Sequence, residues 1–129
     1  MKLHVPVLGD LCGTGGCAFF IEQRYQPASV VGVDVESGVV HAANTAAAER
    51  GVEGRVRFVT VEPGPLPFAD GSFDLVFSKD SIVHIADKHS LAAEIARVLS
   101  PGGMFACSDW MKGDDLPKSA ELERYEELE

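Results

Sequence analysis

The chain has 129 residues, of which 46% are hydrophobic, and its formal net charge at pH 7 is −9. This length suits one folded domain with a core of its own, and the acidic balance disfavours nucleic acid as a partner, because phosphate binding requires a basic surface. The sequence shows neither a signal-peptide pattern nor the roughly 20 consecutive apolar residues of a membrane span, so we expect a cytoplasmic location and no membrane partner.

Strands and helices are predicted to alternate along residues 1–110. Apolar runs predict strands at Val5–Leu11, Val30–Val35, Val56–Val61, Phe73–Ser78 and Met104–Ser108. Helical periodicity predicts helices at Cys17–Tyr25, Ser37–Arg50 and Lys88–Leu99, the last with Asp87 as its N-cap. The alternation predicts an α/β fold with a doubly wound, mainly parallel sheet. Residues 111–129 form an acidic tail that is predicted to be helical over Ser119–Glu129.

A glycine-rich turn follows the first predicted strand, in the sequence VLGDLCGTGG from Val7 to Gly16. The second strand ends on Asp34, nineteen residues after Gly15. Glycines let the backbone approach a ligand, and an acid at this offset accepts hydrogen bonds from ribose hydroxyls. Because ligands of parallel sheets bind outside the carboxyl ends of the strands, the pattern predicts a site for a nucleoside-containing ligand. Alternatively, Asp34 is the N-cap of the following helix.

Four segments in this order resemble the class I S-adenosylmethionine-dependent methyltransferases: VLxxxCGTGG, VVGVD, LPFADGSFDLVFSKD and RVLSPGG. The resemblance covers roughly residues 5–110. It implies a Rossmann-like sheet in the order 3-2-1-4-5 and S-adenosyl-L-methionine as the cofactor. A nicotinamide-dependent oxidoreductase is the weaker alternative, because it gives no reason for the Leu-Pro-Phe turn or for the Pro-Gly-Gly segment before strand five.

The same resemblance assigns residues to the cofactor. The glycine turn would face its methionine half, Asp34 would bind both ribose hydroxyls, and Glu62 would lie near the adenine. The full set is Cys12, Gly13, Thr14, Gly15, Gly16, Asp34, Val35, Glu62, Ser78 and Lys79. Glu62 has the alternative interpretation of an exposed loop acid. The three cysteines are odd in number and lack metal-ligand spacing, so reduced thiols and no metal site are expected.

Ser78–Lys88, with the sequence SKDSIVHIADK, resembles the phosphoethanolamine (phosphobase) N-methyltransferases. By that resemblance His84 is catalytic and Asp80 contacts a small amine substrate. A helical segment here would place positions 80 and 84 one turn apart on one face. A neutral histidine could then help remove the proton of an ammonium whose pKa is near ~10. The alternative is a structural histidine and an acid that caps a helix.

The glycine turn and the loop after strand three depart from the methyltransferase pattern. Gly9 stands where an acid is usual, Asp10 comes one residue late, and Leu11 replaces the first glycine of the turn. Pro63 lacks the backbone N–H that the family commonly directs at the adenine. Leu11, Pro63 and the missing lid favour an alternative function, that of a truncated or degenerate cofactor-binding module without turnover.

The chain also looks shorter than the family fold, with the N-terminal lid helices and strands 6 and 7 missing. Strand five would then lie at an open edge of the sheet, and an unpaired apolar edge favours association. We therefore expect a homo-oligomer that forms through strand five or through the tail helix.

Overall fold

The computed structural model describes residues 6–10 and 15–110. Leu11–Thr14 of the glycine turn and the predicted tail, residues 111–129, lie outside this range. The strands are β1 (Pro6–Asp10), β2 (Ser29–Asp34), β3 (Val56–Thr60), β4 (Phe73–Lys79) and β5 (Leu99–Ser108). The helices are α1 (Gly16–Tyr25), α2 (Ser37–Glu49) and α3 (Lys88–Val98).

These strands form one sheet in the order β3-β2-β1-β4-β5, and each pair of neighbours is parallel. The predicted α/β class with a parallel sheet is confirmed. Among the helices of residues 6–10 and 15–110, none is long and apolar enough to cross a bilayer.

The sheet separates two apolar cores, because successive residues of a strand point to opposite faces. Val30 of β2 packs with Phe58 of β3 in the core under α1 and α2. Val31, its neighbour, packs with Val98 of α3 in the other core. Val30 and Val98 are both fully buried. Burying a side chain of this size contributes on the order of 1.5–3 kcal/mol.

A side-chain amide of α2 covers the β3 edge of the sheet. Asn44 Nδ2 donates to the carbonyl of Phe58 at 2.9 Å, and the Phe58 N–H donates to Asn44 Oδ1 at 2.9 Å. One amide thus satisfies both backbone groups of this residue, as a neighbouring strand would. This role of Asn44 could not be predicted, because an asparagine inside an alanine-rich helix has no distinguishing pattern in the sequence.

Arg97 of α3 holds the loop that contains the Leu-Pro-Phe turn. Its guanidinium donates to the carbonyl of Phe68 at 2.7 Å and to that of Leu66 at 3.0 Å. Glu94 pairs with Arg97 at 2.8 Å and accepts the Leu66 N–H at 2.8 Å. The hydrogen bonds from Arg97, and then from Leu66, lower the pKa of Glu94 to about 2. Two segments that carry the methyltransferase resemblance are therefore bonded to each other.

Strand β5 begins earlier than predicted, at Leu99 instead of Met104. Leu99 pairs with Phe73 and Met104 with Leu75, so the pairing register shifts between them and Ser100–Gly103 forms a bulge. The Ser100 hydroxyl donates to the carboxylate of Asp74 on β4. The Pro-Gly-Gly segment in the sequence indicates only where helix α3 ends. It does not predict the pairing of β5 with β4 on both sides of the bulge.

Candidate functional site

The carboxyl ends of the parallel strands meet at one edge of the sheet. Asp34 ends β2, Lys79 ends β4 and Ser108 ends β5. Because β1 lies between β2 and β4, the ends of those two strands are separated by two strand spacings, roughly 10 Å. This edge of the sheet therefore brings together Asp34 and Lys79, which are both predicted to contact the cofactor.

Gly15 occupies the start of α1 in a backbone conformation that suits glycine. Its φ is 89°, in the left-handed region, and a Cβ at this position would come 2.7 Å from Cζ of Phe58. At Gly16, the first helical residue, a Cβ would meet nothing within 4 Å, so this backbone faces open space. Cys12, Gly13 and Thr14 were also predicted to contact the cofactor, and they lie outside the described residues.

Asp34 is held by a short backbone turn. Its Oδ1 accepts the N–H of Glu36 at 2.9 Å. Within the described part of the chain, its other oxygen has no hydrogen-bond partner. The alternative interpretation of Asp34 as the N-cap of α2 is wrong, because Glu36 is the N-cap. Next to it, Val35 is 59% exposed. The turn thus leaves one carboxylate oxygen and an apolar surface at the end of β2.

Glu62 lies on the loop that follows β3 and is exposed. The preceding residue, Val61, donates its N–H to the carbonyl of Asp34 at 2.9 Å, which places the start of this loop beside the end of β2. The position is compatible both with a contact to a ligand bound at Asp34 and with an exposed loop acid. Its role in cofactor binding stays a prediction.

Ser78 and Lys79 line a cleft that also includes Gly16, the first residue of α1. The cleft measures about 470 Å³. Its remaining walls come from α1 and the ends of β4 and β5: Cys17, Phe20, Ile21, Phe77, Ala106, Cys107 and Ser108. Cys17 and Cys107 are both free thiols. The structure therefore joins predicted cofactor residues from the glycine turn and from β4 in one cavity.

Asp80 and His84 do not lie on one helix, and the expectation of a shared helical face is wrong. Asp80 has a φ of 55°, in the left-handed region, and its carboxylate forms an ion pair with Lys79. Only Ile82–His84 form a single 3-10 turn. The left-handed residue breaks the helical path between the two positions, and such strain in a non-glycine residue is concentrated at functional sites. His84 is exposed beside the same edge of the sheet.

Phe77 accounts for the absence of the usual acid at position 9. Gly9 pairs with Phe77 across β1 and β4, and a Cβ on Gly9 would come 2.1 Å from the ring. No side chain fits there unless the ring moves. The role of Phe77 could not be predicted from the sequence alone, because the pairing of a large aromatic residue on β4 with a glycine on β1 is recognisable only once the register is known.

Comparisons with known proteins identify the family. A family profile described as a methyltransferase domain matches residues 10–107. The O-methyltransferase cnsE of Penicillium expansum is 33% identical over 97% of this chain and 44% of its own length. Phosphoethanolamine N-methyltransferase 1 of Arabidopsis thaliana is 32% identical over 97% of this chain and 25% of its own length. The chain belongs to the methyltransferase-domain family.

A solved structure supports the cofactor of this family. Geranyl diphosphate methyltransferase in complex with SAM is 26% identical, has a TM-score of 0.74, and aligns over 81% of this chain and 42% of its own. The cofactor is S-adenosyl-L-methionine. The chain spans less than half the length of each of these three proteins. No cluster of potential metal ligands occurs in residues 6–10 and 15–110.

Proposed function

We propose that this chain is the cofactor-binding core of an S-adenosylmethionine-dependent methyltransferase that acts on a small amine, such as a phosphoethanolamine-like phosphobase. The carboxylate of Asp34 at the end of β2 is the observation that carries the proposal. It stands at the same sheet edge as the left-handed Gly15 and the cleft beside Ser78. The resemblance of Ser78–Lys88 to the phosphobase N-methyltransferases favours an amine as acceptor, and the similarity to a phosphoethanolamine N-methyltransferase is compatible with it.

The residues at this edge fit the cofactor in polarity and in space. The second carboxylate oxygen of Asp34 can accept a hydrogen bond from a ribose hydroxyl, and Val35 offers an apolar surface to the base. The open backbone at Gly16 and the cleft beside Ser78 leave room for the methionine end. S-adenosylmethionine supplies an electrophilic methyl group when it is bound.

Asp80 and His84 would prepare the amine. The nitrogen of a protonated amine has no lone pair, so one proton must leave before it can attack. In this proposal Nε2 or Nδ1 of His84 accepts that proton, and the carboxylate of Asp80 binds the ammonium and orients it. Lys79 pairs with the same carboxylate, so an incoming ammonium would compete with an existing cation there.

Two measurements test this function in sequence. Calorimetry with S-adenosylhomocysteine tests the cofactor site, and NADH in the same experiment tests the oxidoreductase alternative. Transfer of a labelled methyl group to phosphoethanolamine then tests the acceptor. Binding followed by transfer supports the proposal. Absence of S-adenosylhomocysteine binding overturns the whole of it, while binding without transfer to any amine overturns the enzymatic part.

A binding module without turnover is the second candidate, and Gly9 and Pro63 favour it. Position 9 cannot hold an acid while Phe77 occupies its space, and Pro63 gives the loop after Glu62 no N–H for the adenine. By the methyltransferase resemblance, Pro63 would remove one contact to the adenine. This candidate expects weak cofactor binding and no transfer to amines.

Strand β5 carries the proposal that the chain self-associates. It lies at one edge of the described sheet, and Met104 and Phe105 on it are 63% and 39% exposed. Trp110, which follows the strand, is 79% exposed. Light scattering tests this association, and a monomer at high concentration contradicts it.

A further inference from the structure

The carboxyl end of β5 is bonded at two places to the segment that carries the candidate catalytic residues. The Asp80 N–H donates to the carbonyl of Ser108 at 2.8 Å. Further along, the Val83 N–H donates to Oδ2 of Asp109 at 2.9 Å. The residues from Asp80 to Val83 form the turn that leads to His84. The two bonds therefore hold both ends of this turn to the end of β5.

Asp109 is suited to hold this turn because both of its carboxylate oxygens are engaged. Oδ1 accepts the N–H of the adjacent Trp110 at 2.8 Å, while Oδ2 accepts that of Val83. The first contact fixes the carboxylate on its own backbone, and the second transmits that orientation to the 3-10 turn. Hydrogen bonds from backbone N–H groups to a carboxylate are charge-assisted and stronger than neutral ones.

We propose that Asp109 is a positioning residue for His84. The Val83 N–H belongs to the peptide group between Ile82 and Val83, so the bond to Asp109 restrains the backbone one residue before His84. This inference rests on the proposed function, in which His84 accepts the proton of the amine. In this proposal Asp109 acts through the backbone of the turn, and no substrate contact is assigned to it.

Fixing this turn matters because proton transfer depends on the placement of the base. A displacement of about 1 Å at a reacting group can lower the rate by roughly 10²-fold. Within the turn, the His84 N–H donates to the carbonyl of Ser81 at 3.2 Å and the Ile85 N–H to that of Ile82 at 3.0 Å. Asp109 adds a second long-range bond to this turn, beside the one from Asp80 to Ser108.

The test compares Asp109→Ala and Asp109→Asn with a matched control. Alanine removes both acceptor oxygens, whereas asparagine keeps one and so offers partial rescue. Asp87→Ala is the control, because Asp87, like Asp109, is an aspartate that accepts a backbone N–H, that of Ser90 at 3.0 Å. The full chain is used, and hydrogen exchange at the Val83 amide and the ring resonances of His84 are measured without substrate.

Asp109→Ala should speed exchange at the Val83 amide, shift the His84 resonances and lower kcat for methyl transfer by about 10- to 100-fold. Asp109→Asn should fall between it and the wild type, and Asp87→Ala should leave the three readouts near wild type. The affinity for S-adenosylhomocysteine should stay within about twofold, since Asp109 acts on the acceptor side. These outcomes separate positioning from a general loss of stability.

The proposal is overturned if Val83 exchange and His84 resonances are unchanged in Asp109→Ala, or if they change while kcat does not. A wild-type chain that binds cofactor but transfers no methyl group contradicts the proposed function instead. The resonances of His84 then decide the positioning claim by themselves.

Discussion

The aromatic ring of Phe77 fills the space beside Gly9 on the neighbouring strand. A Cβ on Gly9 would come 2.1 Å from Cζ of that ring, closer than any real contact. The ring also lines the cleft beside α1. The same side chain therefore packs against β1 and forms part of the wall of the candidate site. Packing against Phe77 therefore explains why residue 9 is a glycine. The size of the Phe77 ring also explains why no acid occupies this position.

Gly9→Ala should destabilise the chain. Overpacking of this kind typically costs about 1–3 kcal/mol, because the ring must leave its position or the strands must separate. Phe77→Leu in the same chain should recover much of the loss, and urea denaturation measures both. Gly38→Ala is the control, since a Cβ on Gly38 would meet nothing within 4 Å. Equal effects of the two alanine substitutions would contradict the steric explanation.

Asn44→Ala should lower the free energy of unfolding by about 1–3 kcal/mol, the cost of leaving buried polar groups without partners. The reason is that Asn44 satisfies both the N–H and the carbonyl of Phe58. Thr45→Ala is the neighbouring control, because the Thr45 hydroxyl is exposed and bonds only within its own helix. Similar denaturation midpoints for the two variants would show that the amide does not secure the β3 edge.

Stability should fall in acid through Glu94. Its pKa in the folded chain is about 2, against an ordinary value of 4.5, because Arg97 and the Leu66 N–H bond to its charged form. A lowered pKa means that the contribution is complete above pH 4.5 and is lost as the pH falls toward 2. Thermal unfolding of Glu94→Gln should therefore be less pH-dependent in this window than that of the wild type.

Glu53→Gln serves as the control for that acid titration. Glu53 is exposed in the turn between α2 and β3, so this variant removes one carboxylate without touching the Arg97 bonds. It should keep the wild-type dependence on pH. A Glu94→Gln variant that loses stability in acid as steeply as the wild type would contradict the assignment to this pair.

The sequence predicted the order and type of the elements because each has its own local signal. Alternating apolar runs mark the strands, and Asp87 caps α3 as expected. The position of Asp34 at the end of β2 also follows from a local pattern. What could not be predicted depends on contacts between segments distant in the chain. The bond from Val83 to Asp109 joins residues 26 positions apart, and that from Asn44 to Phe58 joins residues 14 apart.

The path between Asp80 and His84 was predicted incorrectly for a related reason. Nothing in the sequence from Ser78 to Lys88 marks Asp80 as left-handed, since aspartate, although several-fold enriched in that conformation, adopts it in only a minority of cases. The conformation coincides with the bond from Asp80 to Ser108 on β5. Tertiary pairing overrides a local helical preference here, and it does so at the candidate catalytic segment.

Asp34→Asn should weaken S-adenosylhomocysteine binding by about 10- to 100-fold, the equivalent of losing one charge-assisted hydrogen bond of about 1.5–3 kcal/mol. The amide oxygen can still accept the Glu36 N–H, so the turn at the end of β2 should persist. Glu36→Gln is the control, because it removes a neighbouring exposed charge and no proposed contact. Calorimetry that gives the same affinity for both variants would contradict the role of Asp34.

His84→Ala should lower methyl transfer to phosphoethanolamine by roughly 10²- to 10⁴-fold, the usual contribution of a positioned general base. The affinity for S-adenosylhomocysteine should remain near that of the wild type, because His84 lies on the acceptor side of the proposed site. His89→Ala, in the exposed first turn of α3, controls for the loss of an imidazole from the same part of the surface. Equal losses of cofactor affinity and of transfer in His84→Ala would assign this residue to folding or cofactor binding instead of proton removal.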